Sequence, residues 1–81
     1  MTLHEIYEKL KGEHARSLMK HGKWKDLDPD TQRIAIENEV DEFLRAFYRE
    51  DVHGPHGQIA ELIQVMNVAA RRIMYLTGEE Q

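Results

Sequence analysis

The sequence predicts an all-α fold: a three-helix unit with a central antiparallel helical hairpin, expected to pack as a helical-bundle oligomer. Three observations carry this expectation. Apolar residues recur at helical spacing through three long stretches. Capping or breaking residues bound each stretch. No window alternates apolar and polar residues for long enough to make a strand.

The first helix opens with Thr2-Leu3-His4-Glu5, the form of a capping box. Leu3, Ile6, Tyr7, Leu10, Leu18 and Met19 follow at helical spacing. Lys20-His21-Gly22 closes it, basic residues before a glycine stop. The helix is expected from about Leu3 to His21, packed across the other two. Asp28-Pro29 starts the second helix, with Asp as cap and Pro at the first helical position. Its apolar stripe is Ile36, Val40, Phe43, Leu44 and Phe47, and it ends near Arg49. The segment from Glu50 to Gly57 breaks the pattern with two Gly and one Pro. The third helix begins near Gln58. Ile59, Leu62, Ile63, Met66, Ala69, Ala70, Ile73 and Leu76 mark its expected buried side, and Thr77-Gly78 ends it.

At 81 residues the chain, 1–81, is read as one domain with a thin core. Oligomerisation is a common remedy at that size. Without cysteine there is no disulfide and no thiolate metal site. The first residues are too charged for a signal peptide, and no apolar run approaches the ~20 residues of a membrane span. A soluble, cytoplasmic protein is expected. Lys+Arg of 11 against Asp+Glu of 15 gives a net charge of −4, which argues against a bare nucleic-acid partner. A small anion carried with a metal fits, because the metal supplies positive charge.

The segment IENEVDE crowds Glu37, Glu39, Asp41 and Glu42 into the second helix. Like charges one turn apart repel by about 0.2–0.5 kcal/mol per pair, a cost that a bound cation would reverse. Glu39 and Glu42 share a helix side, as do Glu61 and Gln64 on the next helix. If the two helices run antiparallel, these pairs face each other. Three carboxylates and an amide oxygen then form a hard cage suited to Mg²⁺, with Mn²⁺ as a substitute. Asp41 is a possible auxiliary ligand, and Glu37 is read as solvent-facing. The alternative is a solvated acidic face with no ion.

Glu39-x-x-Glu42, eighteen intervening residues, then Glu61-x-x-Gln64 resembles the signature of the MazG-like all-α nucleoside triphosphate pyrophosphohydrolases. Glu13-x-x-Arg16, Lys20-His21-Gly22-Lys23-Trp24 and the segment Glu61 to Ala69 extend the resemblance to small phage-type members. It implies a hydrolase that splits a (d)NTP into (d)NMP and pyrophosphate. It implies Mg²⁺ held by Glu39, Glu42 and Glu61, a metal-polarised water as nucleophile, and a homodimer or homotetramer. Asp41 stands where the family often has Gly, and two positions depart by losing charge, Asn38 for a frequent Glu and Gln64 for Asp. Both replace a carboxylate by an uncharged amide, so a weak or inactive nucleotide-binding or regulatory protein is the alternative function.

Other residues complete the candidate site. Arg16 is a phosphate candidate through its fork, or a partner for a neighbouring Glu. Lys20 can reach phosphates at the site mouth, or simply solubilise. Trp24 stacks on a base or belongs to the core. Asn67, one turn beyond Gln64, is a further ligand or a contact to sugar or base. Arg71 and Arg72 read as surface ion pairs. His53 and His56 have an HxxH look but lack further zinc ligands, so they read as a polar loop near the acidic pair.

Overall fold

The computed structural model describes residues 1–79. Among them are α1 (Leu3–His21), a 3₁₀ turn (Trp24–Asp26), α2 (Pro29–Tyr48) and α3 (Gln58–Leu76), with no strand. No helix of the described residues is long and apolar enough to cross a membrane.

Local chemistry sets the helix ends. Thr2 Oγ1 accepts from Glu5 N at 3.2 Å, and Glu5 Oε1 accepts from Thr2 N at 3.1 Å, which completes the capping box. Gly22 stops α1 at φ 71°. Asp28 Oδ1 accepts from Thr31 N at 2.8 Å, and Pro29 follows it. After α2, Glu50 N donates to the Phe47 carbonyl and Asp51 N to the Ala46 carbonyl, with Glu50 at φ 58°. After α3 the same pair of bonds forms around Gly78, at φ 72°.

Asp51 braces the connection between α2 and α3. Its Oδ1 accepts from Gly54 N at 2.9 Å, and its carbonyl accepts from Gln58 N at 2.8 Å. A Cβ on Gly54 would stand 2.6 Å from Asp51 Oδ2, and one on Gly57 2.8 Å from Gly54 N. Close approach, not backbone conformation, requires glycine at both.

α3 is the central element, packed against α2, α1 and the 3₁₀ turn. Glu42 lies near Glu61 and Gln32 bonds Arg72, so α2 and α3 make contact in opposite order along the chain. Against α1 the order is the same. Ser17 meets Asn67, and Gly22 meets Arg71. The first helix packs on the third.

The buried side of α3 is the main correction to the sequence reading. Leu62, Met66, Ile73 and Leu76, expected inside, are exposed. Ile63 is buried as expected, but Glu61, Asn67, Val68 and Arg71 are buried with it. On α2 the fully buried side chains are Gln32 and Ala46, while Val40, Leu44 and Phe47 are exposed. The reason is positional. α1 and α2 flank α3 and shelter its polar side, which leaves the apolar side without cover.

Candidate functional site

Each helix contributes one stripe at spacing i, i+3, i+4, i+7, the positions that share a helix face. α1 gives Glu13, Arg16, Ser17 and Lys20; α2 gives Ala35, Asn38, Glu39 and Glu42; α3 gives Gln64, Asn67, Val68 and Arg71. Together they line a groove of about 770 Å³, with α3 as floor and the other two helices as walls. Trp24 and Leu27 are also part of its lining.

Glu39 and Glu42 of the groove lining come together with Glu61, which is not part of that lining. One carboxylate oxygen of each lies within 4.8 Å of the other two. Glu61 is 5% exposed, Glu39 is half-buried and Glu42 is exposed. Glu39 Oε2 and Glu61 Oε2 are both buried without a hydrogen-bond partner. Such atoms are costly inside a protein unless something fills them. Burial, then the charges of Glu42, Glu61 and Glu13, pushes the Glu39 carboxyl up to about 7. Burial and then Glu42 raise Glu61 as well, against the opposing pull of His56. A divalent cation suits this arrangement. It would give the orphaned oxygens a partner and cancel the repulsion, and an all-oxygen donor set suits Mg²⁺ or Mn²⁺.

The remaining candidates are distributed as follows. Asp41 is exposed and outside the converging group. Gln64 lines the groove beside Glu13 and favours the charged form of its carboxyl. Burial works against the charged form of Glu13, but Arg16 at 2.5 Å, Gln64 and Lys20 hold its pKa below the usual value. Lys20 is exposed on the α1 wall. Trp24 is buried, with the Arg71 guanidinium 5.4 Å from its ring centre, so it acts as core in this state. Asn67 lies buried in the floor, its Nδ2 donating to Ser17 Oγ at 2.8 Å and its Oδ1 buried without a partner. Glu37 pairs with Arg33 at 2.7 Å on the solvent side.

Several site residues escaped the sequence reading. Arg71, expected on the surface, is 2% exposed and donates to the Gly22 carbonyl. Arg72 is half-buried and donates to Gln32 Oε1 at 2.5 Å. Glu13 entered that reading only as part of a motif, and Ser17 not at all. The polar i, i+3, i+4, i+7 spacing on α1 was the signal that could have found both. His56 Nδ1 stands 3.4 Å from Glu61 Oε1, a contact that no local pattern announces.

No family model, no curated protein and no solved structure matches the chain.

Proposed function

We propose that this chain is a Mg²⁺-dependent nucleotide pyrophosphohydrolase of the MazG-like type, cleaving a (d)NTP to (d)NMP and pyrophosphate. One observation carries the reading. Glu39 and Glu42 of the groove lining converge with Glu61, and one oxygen each of Glu39 and Glu61 is buried without a hydrogen-bond partner. Bound there, Mg²⁺ or Mn²⁺ would polarise phosphate oxygens and lower the pKa of an attacking water. The chain's own residues bind and orient. Arg16 and Lys20 on the α1 wall offer positive charge to the phosphates, Arg16 by sharing its fork with Glu13. Asn67 holds an acceptor on the floor for a donor of the sugar or base. The reading also includes a central α2–α3 hairpin that meets a second copy as a homodimer or homotetramer. Support for that comes from the exposed apolar side of both helices.

The test is pyrophosphate release from each dNTP with Mg²⁺. No release from any of them by the folded protein sinks the enzyme reading. A second reading is a nucleotide-binding or regulatory protein without turnover. It is favoured by Gln64 and Asn38, two groove residues that carry an uncharged amide where the family pattern has a carboxylate. Calorimetry with Mg²⁺ and a non-hydrolysable nucleotide separates the two, because the second predicts binding with no product.

A further inference from the structure

The groove has a neighbour. A second cavity of about 280 Å³ lies between α1 and the start of α3, and Glu13, Arg16 and Gln64 line both. Lys9, Pro55 and Ala60 line only the second. Lys9, Glu13 and Arg16 stand at i, i+4 and i+7, so one face of α1 serves the two cavities. Pro55 adds the α2–α3 connection that Asp51 braces. The lining of the second cavity holds two cations and one carboxylate. Arg16 already pairs with that carboxylate, Glu13, at 2.5 Å, which leaves Lys9 as the net positive charge.

The acidic cluster lies at the junction. Glu61 directly follows Ala60 and stands one turn before Gln64. Glu39 and Glu42 line the groove, and the charge of Glu13 reaches Glu39. Away from this junction the groove changes character. Asn67, Val68 and Arg71 lie one to two turns further along α3, with Trp24, Leu27 and Ala35 also in the lining. That part offers apolar surface and the unpartnered Asn67 acceptor, which suit a nucleoside. The second cavity is smaller than the roughly 300–1,000 Å³ of a whole drug-sized ligand site, as suits one part of a ligand.

We infer that a bound (d)NTP lies with its nucleoside toward Asn67 and Trp24 and its two terminal phosphates in the second cavity, where Lys9 holds the leaving pyrophosphate. Lys9 takes this role only if the chain is the hydrolase proposed above. In that reaction a water oxygen bonds to the α phosphorus, and the bond from that phosphorus to the α–β bridging oxygen breaks. The pyrophosphate keeps the electron pair, and one water proton passes to solvent. Negative charge grows on the pyrophosphate, where a positioned ammonium stabilises it.

Inhibition of dNTP turnover by pyrophosphate and by dNMP tests this orientation, using the full chain with Mg²⁺. Lys9→Ala is compared with Lys9→Arg, which keeps the charge. Lys11→Ala is the control for net charge, because Lys11 pairs with Glu8 at 3.2 Å and, two residues on, faces away from Lys9. Circular dichroism checks that each variant stays folded. Lys9→Ala is expected to weaken pyrophosphate inhibition and lower kcat/KM by about 10-fold, less than a donor in a dry site, because Lys9 is exposed. Inhibition by dNMP moves less than about twofold, since a distant exposed charge is screened. Lys9→Arg retains most of the pyrophosphate inhibition, and Lys11→Ala matches the original chain. An equal loss for pyrophosphate and dNMP makes Lys9 a general attractor of anions and overturns the inference. Turnover with pyrophosphate inhibition unchanged by Lys9→Ala overturns it too, and leaves the hydrolase reading standing. If the original chain releases no pyrophosphate from any dNTP, the hydrolase reading itself falls, and the role of Lys9 with it.

Discussion

The two long sides of α3 are built in opposite ways. The groove side holds Asn67 and Arg71 almost completely buried, and Glu61 is buried beside Glu39 and Glu42. The back holds Leu62, Met66, Ile73 and Leu76, and the last two are 60% and 64% exposed. Elementary hydrophobicity predicts the reverse. Burying a polar group without a full set of partners costs roughly 1–3 kcal/mol, and leaving a Leu or Ile exposed forgoes about 1.5–3 kcal/mol. A fold that accepts both terms on one helix uses the two sides for different purposes. The buried polar side is the candidate site. On α2, Val40, Leu44 and Phe47 are exposed as well, and the proposed second copy would cover such apolar residues. Successive α3 positions 62, 66, 69, 73 and 76 are four and three residues apart, the spacing of a helix-to-helix seam.

The largest expected effect is on the groove side. Glu39→Gln and Glu61→Gln each reduce pyrophosphate release by at least about 100-fold, since even the residues that support metal ligands contribute 10–100-fold. The same substitutions leave the helical content unchanged and, with chelator present, raise the melting temperature, because they remove a repelling charge. A variant that loses activity by unfolding would break the distinction between the two sides of α3.

The back is tested by assembly. Leu62→Glu combined with Ile73→Glu places two charges on the seam. Light scattering should then give the monomer mass of 9.5 kDa, where the original chain gives a multiple of it. An original chain that is already monomeric at micromolar concentration would remove the assembly role from this surface.

Acidity probes the groove again, with a smaller effect. Glu39 titrates near 7 in the folded chain against an ordinary 4.5, so the folded state holds a proton that the unfolded state gives up in between. That contribution is fully present below about 4.5 and is lost as pH rises through 7. Glu61 is shifted in the same direction. The metal-free chain should therefore melt higher near pH 5 than near pH 8, and Glu39→Gln should flatten the difference. Saturating Mg²⁺ should restore stability on the alkaline side, because a bound cation favours the ionised carboxylates. Scanning calorimetry with and without chelator reads all three.

The helix ends were legible in the sequence because their signals are local. Thr2 with Glu5, Gly22, Asp28 with Pro29, and Gly78 each act within a few residues of themselves. The meeting of Glu39 and Glu42 with Glu61 was legible too, since i, i+3 spacing and a short connection carry it. Which side of α3 turns inward was not legible. Periodicity shows that an apolar side exists, but not that the same chain covers it. Contacts such as Asn67 to Ser17 and Arg71 to Gly22 join residues about fifty positions apart, and no local pattern encodes them.

Below the groove, Gln32 tests whether the polar side carries structural weight as well. It is fully buried, donates to the carbonyls of Trp24 at 3.0 Å and Leu27 at 3.1 Å, and accepts from Arg72. Gln32→Ala removes all three bonds and strands their partners. A loss of about 2–4 kcal/mol is expected in chemical denaturation, comparable to a large core truncation. A loss below 1 kcal/mol would mean that water replaces the side chain at little cost.

The smallest effect has the opposite sign and lies where the two sides join. α2 and α3 end in the same pair of backbone bonds, but the left-handed position is Glu50 in one and Gly78 in the other. A side chain in that conformation costs roughly 1–2 kcal/mol, and glycine avoids the cost at some loss of unfolded-state entropy. Glu50→Gly should therefore stabilise the chain by about 0.5–1 kcal/mol. Glu50 is exposed and lines neither the groove nor the apolar back, so metal affinity and oligomer mass should both stay fixed. A change in either would mean that the α2–α3 connection sets the register of the two helices, and that groove and back are adjusted together through this one turn.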